Sequence, residues 1–186
     1  MKKKRVHLVC NAHIDPIWQW DWQEGASAVL STFRSAANLA DQYDYIFCHN
    51  EVTAYKYVEE YAPELFEKIQ NLVKAGKWRI MGGWYLQPDC NMPSGESVSR
   101  QLLYSQRYFK EKLGVTAKTG YNVDSFGHNA MFPQLLKRAG MENYVWMRPS
   151  IIENPEIPEG PMWWEAPDGS RVMAYRIKFE YNGFHD

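Results

Sequence analysis

Val6-His7-Leu8-Val9-Cys10 is a short apolar run followed closely by His13-Ile14-Asp15-Pro16-Ile17-Trp18. Much further along the arrangement recurs, with Thr119-Gly120-Tyr121-Asn122-Val123 leading directly into Asp124-Ser125-Phe126-Gly127-His128. Apolar runs of this length read as buried β-strands, and each delivers polar residues to the loop behind it. Working outward, strand-like and helix-like segments alternate. Residues 25–42 carry Leu30, Phe33, Ala37 and Ala40 at helical spacing, and Tyr45-Ile46-Phe47-Cys48 reads as a second strand. Residues 53–75 are helical in pattern and interrupted at Pro63, which can open a second helix, with Gly76 as its stop. Trp78-Arg79-Ile80-Met81 is a third strand. Ser94 caps a long helix ending before Gly114, a short helix runs from near Pro133 to Gly140, and Tyr144-Val145-Trp146-Met147 is a fifth strand. Five βα repeats imply an α/β fold built on a parallel sheet, open or closed into a barrel. The pattern then changes: residues 154–161 are irregular, and residues 162–177 form a β-hairpin turning at Pro167-Asp168-Gly169. The last stretch, Tyr175 to Asp186, carries no stop signal, so residues 1–186 are expected to be part of a larger domain.

Bulk properties narrow the function class. The net charge of −1 offers no electrostatic footprint for nucleic acid or an anionic membrane. The basic start Lys2-Lys3-Lys4-Arg5 resembles the head of a signal peptide, but His7, Asn11, His13 and Asp15 interrupt the apolar run that must follow. No stretch approaches the roughly 20 apolar residues that span a bilayer. Cys10, Cys48 and Cys90 are odd in number and widely spaced, which suits a reducing, cytoplasmic setting better than a disulfide framework. Aromatic residues make up 15% of the chain, enough to supply both a core and the flat faces that sugar rings stack upon.

Functional residues of parallel α/β folds gather behind the carboxyl ends of the strands. There the sequence places His13 and Asp15, then His49 and Glu51, Trp84 and Asp89, Asp124, and Arg148. In an extended segment His13 and Asp15 point the same way, so both can reach one ion. Asp124 from another loop completes three N/O ligands of a kind that Zn²⁺ accepts, although such a site also admits other divalent ions. Taken singly, Asp15 can be a turn residue before Pro16, and His13 a satisfied loop histidine. Trp18 and Phe126 follow the two ligand groups as sugar-binding aromatics would.

Four stretches carry a specific resemblance: residues 13–18, Gly82-Gly83-Trp84-Tyr85-Leu86-Gln87-Pro88-Asp89, Pro93-Ser94-Gly95-Glu96-Ser97, and residues 122–128. Together, in this order and with the Pro-Asp-Gly hairpin, the chain resembles glycoside hydrolase family 38, the zinc-dependent retaining α-mannosidases, in the style of its bacterial, cytosolic branch. The resemblance implies that His13, Asp15 and Asp124 ligate zinc and that Asp124 is also the catalytic nucleophile. It implies that Trp18 and Phe126 line the sugar subsite and that Arg148 sits beside the nucleophile. Asp89 lies in one of the motifs, either touching sugar or closing its own loop. The implied fold is a seven-stranded (β/α) barrel-like domain of which this chain is the N-terminal portion. The implied substrate is a mannose-containing oligosaccharide; self-association is left open.

Retaining hydrolysis needs a nucleophilic carboxylate and a second carboxyl group about 5–5.5 Å away. The family's acid/base and its fourth zinc ligand, a histidine, match nothing in this sequence, so the chain alone is expected to be inactive. Two other readings remain open here. A metal-dependent polysaccharide deacetylase uses similar ligands, but would want a His-x-x-x-His pair that this sequence lacks. The other is an inactive sugar-binding remnant.

Overall fold

The computed structural model describes residues 9–178. Residues 6–8 of the expected first strand, the basic start, and the chain beyond residue 178 lie outside them. The elements run β1 (Cys10–Asn11), α1 (Trp22–Gln42), β2 (Phe47–Glu51), α2 (Val52–Tyr61), α3 (Pro63–Lys74), β3 (Trp78–Trp84), α4 (Gly95–Leu113), β4 (Thr119–Asn122), α5 (Phe132–Arg138), β5 (Asn143–Trp146), β6 (Gly160–Glu165) and β7 (Arg171–Arg176). The fold is α/β with parallel strand pairs, as the alternating pattern required. One sheet has the order β1-β2-β3 and the other β4-β5-β7-β6. β1 and β2 are parallel, as are β4 with β5 and β5 with β7, whereas β6 and β7 form an antiparallel hairpin.

Contacts divide the described residues into two compact units, residues 9–49 with 54–79, and residues 50–53 with 80–178. In the first unit the core is aromatic. The fully buried Phe33 of α1 packs edge-on against Tyr55, Trp78 and His49 at centroid distances of 5.3, 5.2 and 4.8 Å. The Trp78 indole N–H donates to the Tyr55 hydroxyl at 2.9 Å, so the polar tips of both rings are satisfied inside the core. α1 starts three residues earlier than its apolar spacing suggests, because the Asp21 carboxylate accepts from the Glu24 N–H at 3.2 Å. Pro63 opens α3, as expected, behind the break at Ala62.

The second unit packs Val98 and Leu102 of α4 and Phe132 and Leu136 of α5 with Trp84, Tyr144, Trp146, Val172 and Ala174. Ser94 caps α4 and Gly114 ends it. The hairpin turns where Pro167-Asp168-Gly169 predicts: the Ala166 N–H donates to the Ser170 carbonyl at 2.8 Å, and Asp168 Oδ1 accepts from the Ser170 N–H at 3.0 Å. Alternation along β6 leaves Trp163 61% exposed and turns Trp164 onto the core.

β2 and β3 run further along the chain than the sequence reading takes them. β2 begins at Phe47 and runs through His49, Asn50 and Glu51, all buried, so His49 and Glu51 lie within the strand and not behind it. β3 continues through Gly82-Gly83 to Trp84, whose ring is fully buried and donates its N–H to the Tyr121 carbonyl at 3.1 Å. Hydropathy marks a strand end where polarity begins, but here the Asn50 amide nitrogen finds its partner inside the fold. Asn50 Nδ2 bonds Gln87 Oε1 at 3.4 Å, and the same oxygen accepts from the Val123 N–H at 3.4 Å.

Gly82 is where β3 meets Asn50. Its φ is +79°, and a Cβ there would lie 2.2 Å from Asn50 Cβ and 2.9 Å from Asn50 Cα. Backbone conformation and backbone proximity therefore both demand glycine. Gly82→Ala is expected to destabilise the fold by at least about 2 kcal/mol, read as a lowered urea midpoint of unfolding.

Candidate active site

In the first unit the loop after β1 carries His13 and Asp15. His13 Nε2 lies 3.2 Å from Asp15 Oδ1, with the histidine side chain 10% exposed and the carboxylate 39%. The loop is held from several sides. The Asn11 amide donates to the Cys48 carbonyl at 2.8 Å, and the Trp20 indole N–H donates to the Asp15 carbonyl at 3.0 Å. Gly25, in the first turn of α1, lies so close to Pro16 that a Cβ would come 2.0 Å from the Pro16 carbonyl oxygen. Helix and loop are in backbone contact just after His13 and Asp15. Trp18 is 64% exposed and set edge-on to Trp20 at 5.3 Å, so it offers a flat apolar surface to solvent.

In the second unit the loop after β4 carries Asp124, Phe126 and His128. Asp124 Oδ1 pairs with Arg148 Nε at 2.9 Å, and the guanidinium lies 5.5 Å from the Phe126 ring centroid. Phe126 is 71% exposed. His128 lies behind them, with Nε2 2.7 Å from the Arg148 carbonyl and Nδ1 3.0 Å from the Tyr144 hydroxyl. Asp89 stands on the loop after β3, and its Oδ1 accepts from the N–H groups of Asn91 and Met92 at 2.8 Å each. Those two bonds hold its carboxyl below the usual carboxylate range.

The structure thus brings His13 together with Asp15, and Asp124 together with Phe126, Arg148 and His128. A histidine nitrogen beside a carboxylate oxygen at 3.2 Å is the separation two ligands of one Zn²⁺ adopt, each about 2 Å from the ion. The donor chemistry of His13, Asp15 and Asp124 therefore fits a zinc ion. Glu51 and Trp84 are buried in strands and offer no surface for a sugar.

Three features went unread in the sequence. Tyr144, at the centre of β5, is a hydrogen-bonding partner of His128. Asn122, fully buried, donates to Cys90 Sγ at 2.8 Å and to the Pro88 carbonyl at 3.3 Å, tying the loop of the second motif to β4. Arg176, 1% exposed, donates to the Pro149 carbonyl through Nε and Nη2 at 3.1 and 2.7 Å. Its Nη1 donates to the carbonyls of Asn154, at 2.9 Å, and Ile157. Arg176 could have been found, because it shares the inward face of β7 with Val172 and Ala174, where an arginine must have partners.

Two buried histidines are held neutral. Burial in the aromatic core takes His49 down to about 3, and burial lowers His128 to about 4. Below pH 6.5 the unfolded chain takes up protons that these folded rings refuse. The stability they contribute is therefore full above the unfolded value and lost as the pH falls toward 4 and then 3. The unfolding free energy of the metal-free chain, measured by urea titration, is expected to drop between pH 7 and pH 5, by on the order of 1 kcal/mol per pH unit for each ring. His128→Gln should make the drop shallower, and an unchanged slope would show that His128 is not buried neutral.

Among the described residues no helix is long and apolar enough to cross a membrane, and Cys10, Cys48 and Cys90 are unbridged.

Alpha-mannosidase G of Dictyostelium discoideum is 33% identical over 172 residues, covering 92% of this chain and 16% of the relative. The alpha-mannosidase of Saccharomyces cerevisiae is 28% identical over 172 residues, covering 91% of this chain and 16% of the relative. The chain thus spans about a sixth of these curated relatives. Among solved structures, an alpha-mannosidase from Enterococcus faecalis V583 shares the fold with a TM-score of 0.81 at 23% identity, covering 91% of this chain and 19% of that one. A putative polysaccharide deacetylase from Mycobacterium smegmatis shares it more loosely, with a TM-score of 0.60 at 15% identity over 85% of this chain and 49% of that one. The model of the family described as "Glycosyl hydrolases family 38 N-terminal domain" matches residues 3–185, and to that family this chain belongs.

Proposed function

We propose that this chain is the N-terminal portion of the catalytic domain of a cytoplasmic, retaining α-mannosidase that removes terminal α-linked mannose from oligosaccharides. The observation that carries the reading is the match to family 38 along residues 3–185, which takes in both strand-end loops with their ligand-type residues. The alpha-mannosidases among the relatives support the substrate class. The three unbridged cysteines support the compartment.

His13, Asp15 and Asp124 would hold one Zn²⁺. When bound, the ion would polarise and orient hydroxyl groups of the sugar, a templating and Lewis-acid role. Asp124 is the nucleophile: it attacks the anomeric carbon as the glycosidic C–O bond breaks and a second carboxyl group protonates the leaving oxygen, and water then hydrolyses the resulting glycosyl-enzyme to free the sugar and the Asp124 carboxylate. Arg148, already on Asp124 Oδ1 at 2.9 Å, aims that carboxylate. Trp18 and Phe126, both largely exposed, supply apolar faces for the sugar ring. Asp89 serves the subsite through its loop, which two backbone N–H bonds to its carboxylate hold in shape.

The test is hydrolysis of an aryl α-D-mannoside by the full reading frame that contains this chain, before and after chelation. Activity should vanish on chelation and return with zinc. Asp124→Asn should lower kcat by about 10³-fold or more and weaken zinc retention in the same preparation. Full activity in that variant would remove Asp124 from the mechanism. Absence of mannoside hydrolysis under any divalent metal would overturn the assignment.

A further inference from the structure

The proton inventory of the loop behind Asp124 decides the role of His128. A carbonyl oxygen can only accept, so the 2.7 Å contact of His128 Nε2 with the Arg148 carbonyl requires the proton to be on Nε2. In the neutral ring Nδ1 is then an acceptor, and the Tyr144 hydroxyl, 3.0 Å away, must be its donor. Edge contacts with the rings of Tyr144, Trp146 and Trp164, at 5.5, 5.6 and 6.0 Å, leave the imidazole little freedom to turn.

The far end of this chain of bonds is Arg148. Its N–H donates to the Val123 carbonyl at 3.2 Å, and its own carbonyl is taken by His128. The next carbonyl, of Pro149, is taken by Arg176. With the backbone fixed on both sides, the side chain leaves from a set position and meets Asp124 at 2.9 Å.

We infer that His128 is a positioning residue: locked by Tyr144 as the Nε2–H tautomer, it holds the Arg148 backbone and so places the Arg148 guanidinium on Asp124. It touches neither substrate nor metal. That the placed carboxylate is a nucleophile rests on the mannosidase reading, but the positioning itself does not.

The experiment uses the 186-residue chain without metal or substrate, labelled with ¹⁵N. Long-range ¹H–¹⁵N spectra at pH 7 should show His128 as a single Nε2–H tautomer. In Tyr144→Phe, which keeps the ring and removes the hydroxyl, the signal should become a mixture of tautomers. The Arg148 side-chain Nε–H, assigned by its loss in Arg148→Lys, should exchange with water about tenfold faster or more in His128→Leu. His128→Gln retains a donor at the place of Nε2 and should restore the wild-type rate within about threefold. An Nδ1–H tautomer in the wild-type chain would overturn the inference. So would Tyr144→Phe leaving the tautomer single, or His128→Leu leaving the Arg148 exchange rate unchanged. Should His128→Leu fail to fold, the tautomer in Tyr144→Phe and the exchange rate in His128→Gln still decide. No arm uses a mannoside, so failure of the mannosidase assay and failure of this inference are separate results.

Discussion

The parallel register of β4 and β5 is the constraint on which the second unit's candidate loop depends. Asn122 pairs with Trp146, so the residues two positions beyond each are Asp124 and Arg148. The Arg148 N–H continues the ladder by donating to the Val123 carbonyl. Side chains two apart share a face in extended chain, so the two charged groups emerge side by side where the sheet ends. A slip of one residue would turn Asp124 away from Arg148 and bury the wrong face of both strands. The ion pair is thus a product of strand register, and the apolar core under the strands defends that register.

What was legible in the sequence follows from how local each signal is. Helix ends with their own chemistry, Ser94, Pro63 and Gly114, fell where expected, because a cap is read from a few adjacent residues. The start of α1 was missed because its cap, Asp21, stands among tryptophans that break the helical stripe. β2 and β3 were cut short for a related reason. His49, Asn50 and Glu51 are polar yet buried, and Gly82-Gly83 look like a turn yet let a strand pass close to Asn50. In both cases a tertiary partner overrides the local preference.

The same division holds for the candidate site. The His13 and Asp15 pair is a two-residue spacing on extended chain, visible in sequence, and the structure sets His13 Nε2 and Asp15 Oδ1 3.2 Å apart. Asp124 and Arg148 were located as residues behind strands. Which groups His128 bonds was not legible, since Tyr144 to His128 and His128 to Arg148 join segments 16 and 20 residues apart. Arg176 is the intermediate case. Strand alternation puts it on the buried face, but only the folded chain shows the carbonyls of Pro149, Asn154 and Ile157 gathered around its guanidinium.

A histidine suits position 128 better than an amide would, because two demands meet there. The three surrounding aromatic rings need a flat, bulky side chain to fill the space beside them, and leaving that space empty would forfeit close contacts on every side. The Arg148 carbonyl and the Tyr144 hydroxyl meanwhile need one donor and one acceptor, set on opposite edges of that same group. Neutral imidazole alone among the side chains offers a ring with both. Protonation would convert its acceptor edge to a donor pointed at another donor and place a charge among apolar rings, so the environment that makes use of the ring also keeps it neutral. Packing and polarity at this position are therefore one requirement, and the orientation of Arg148 depends on its being met.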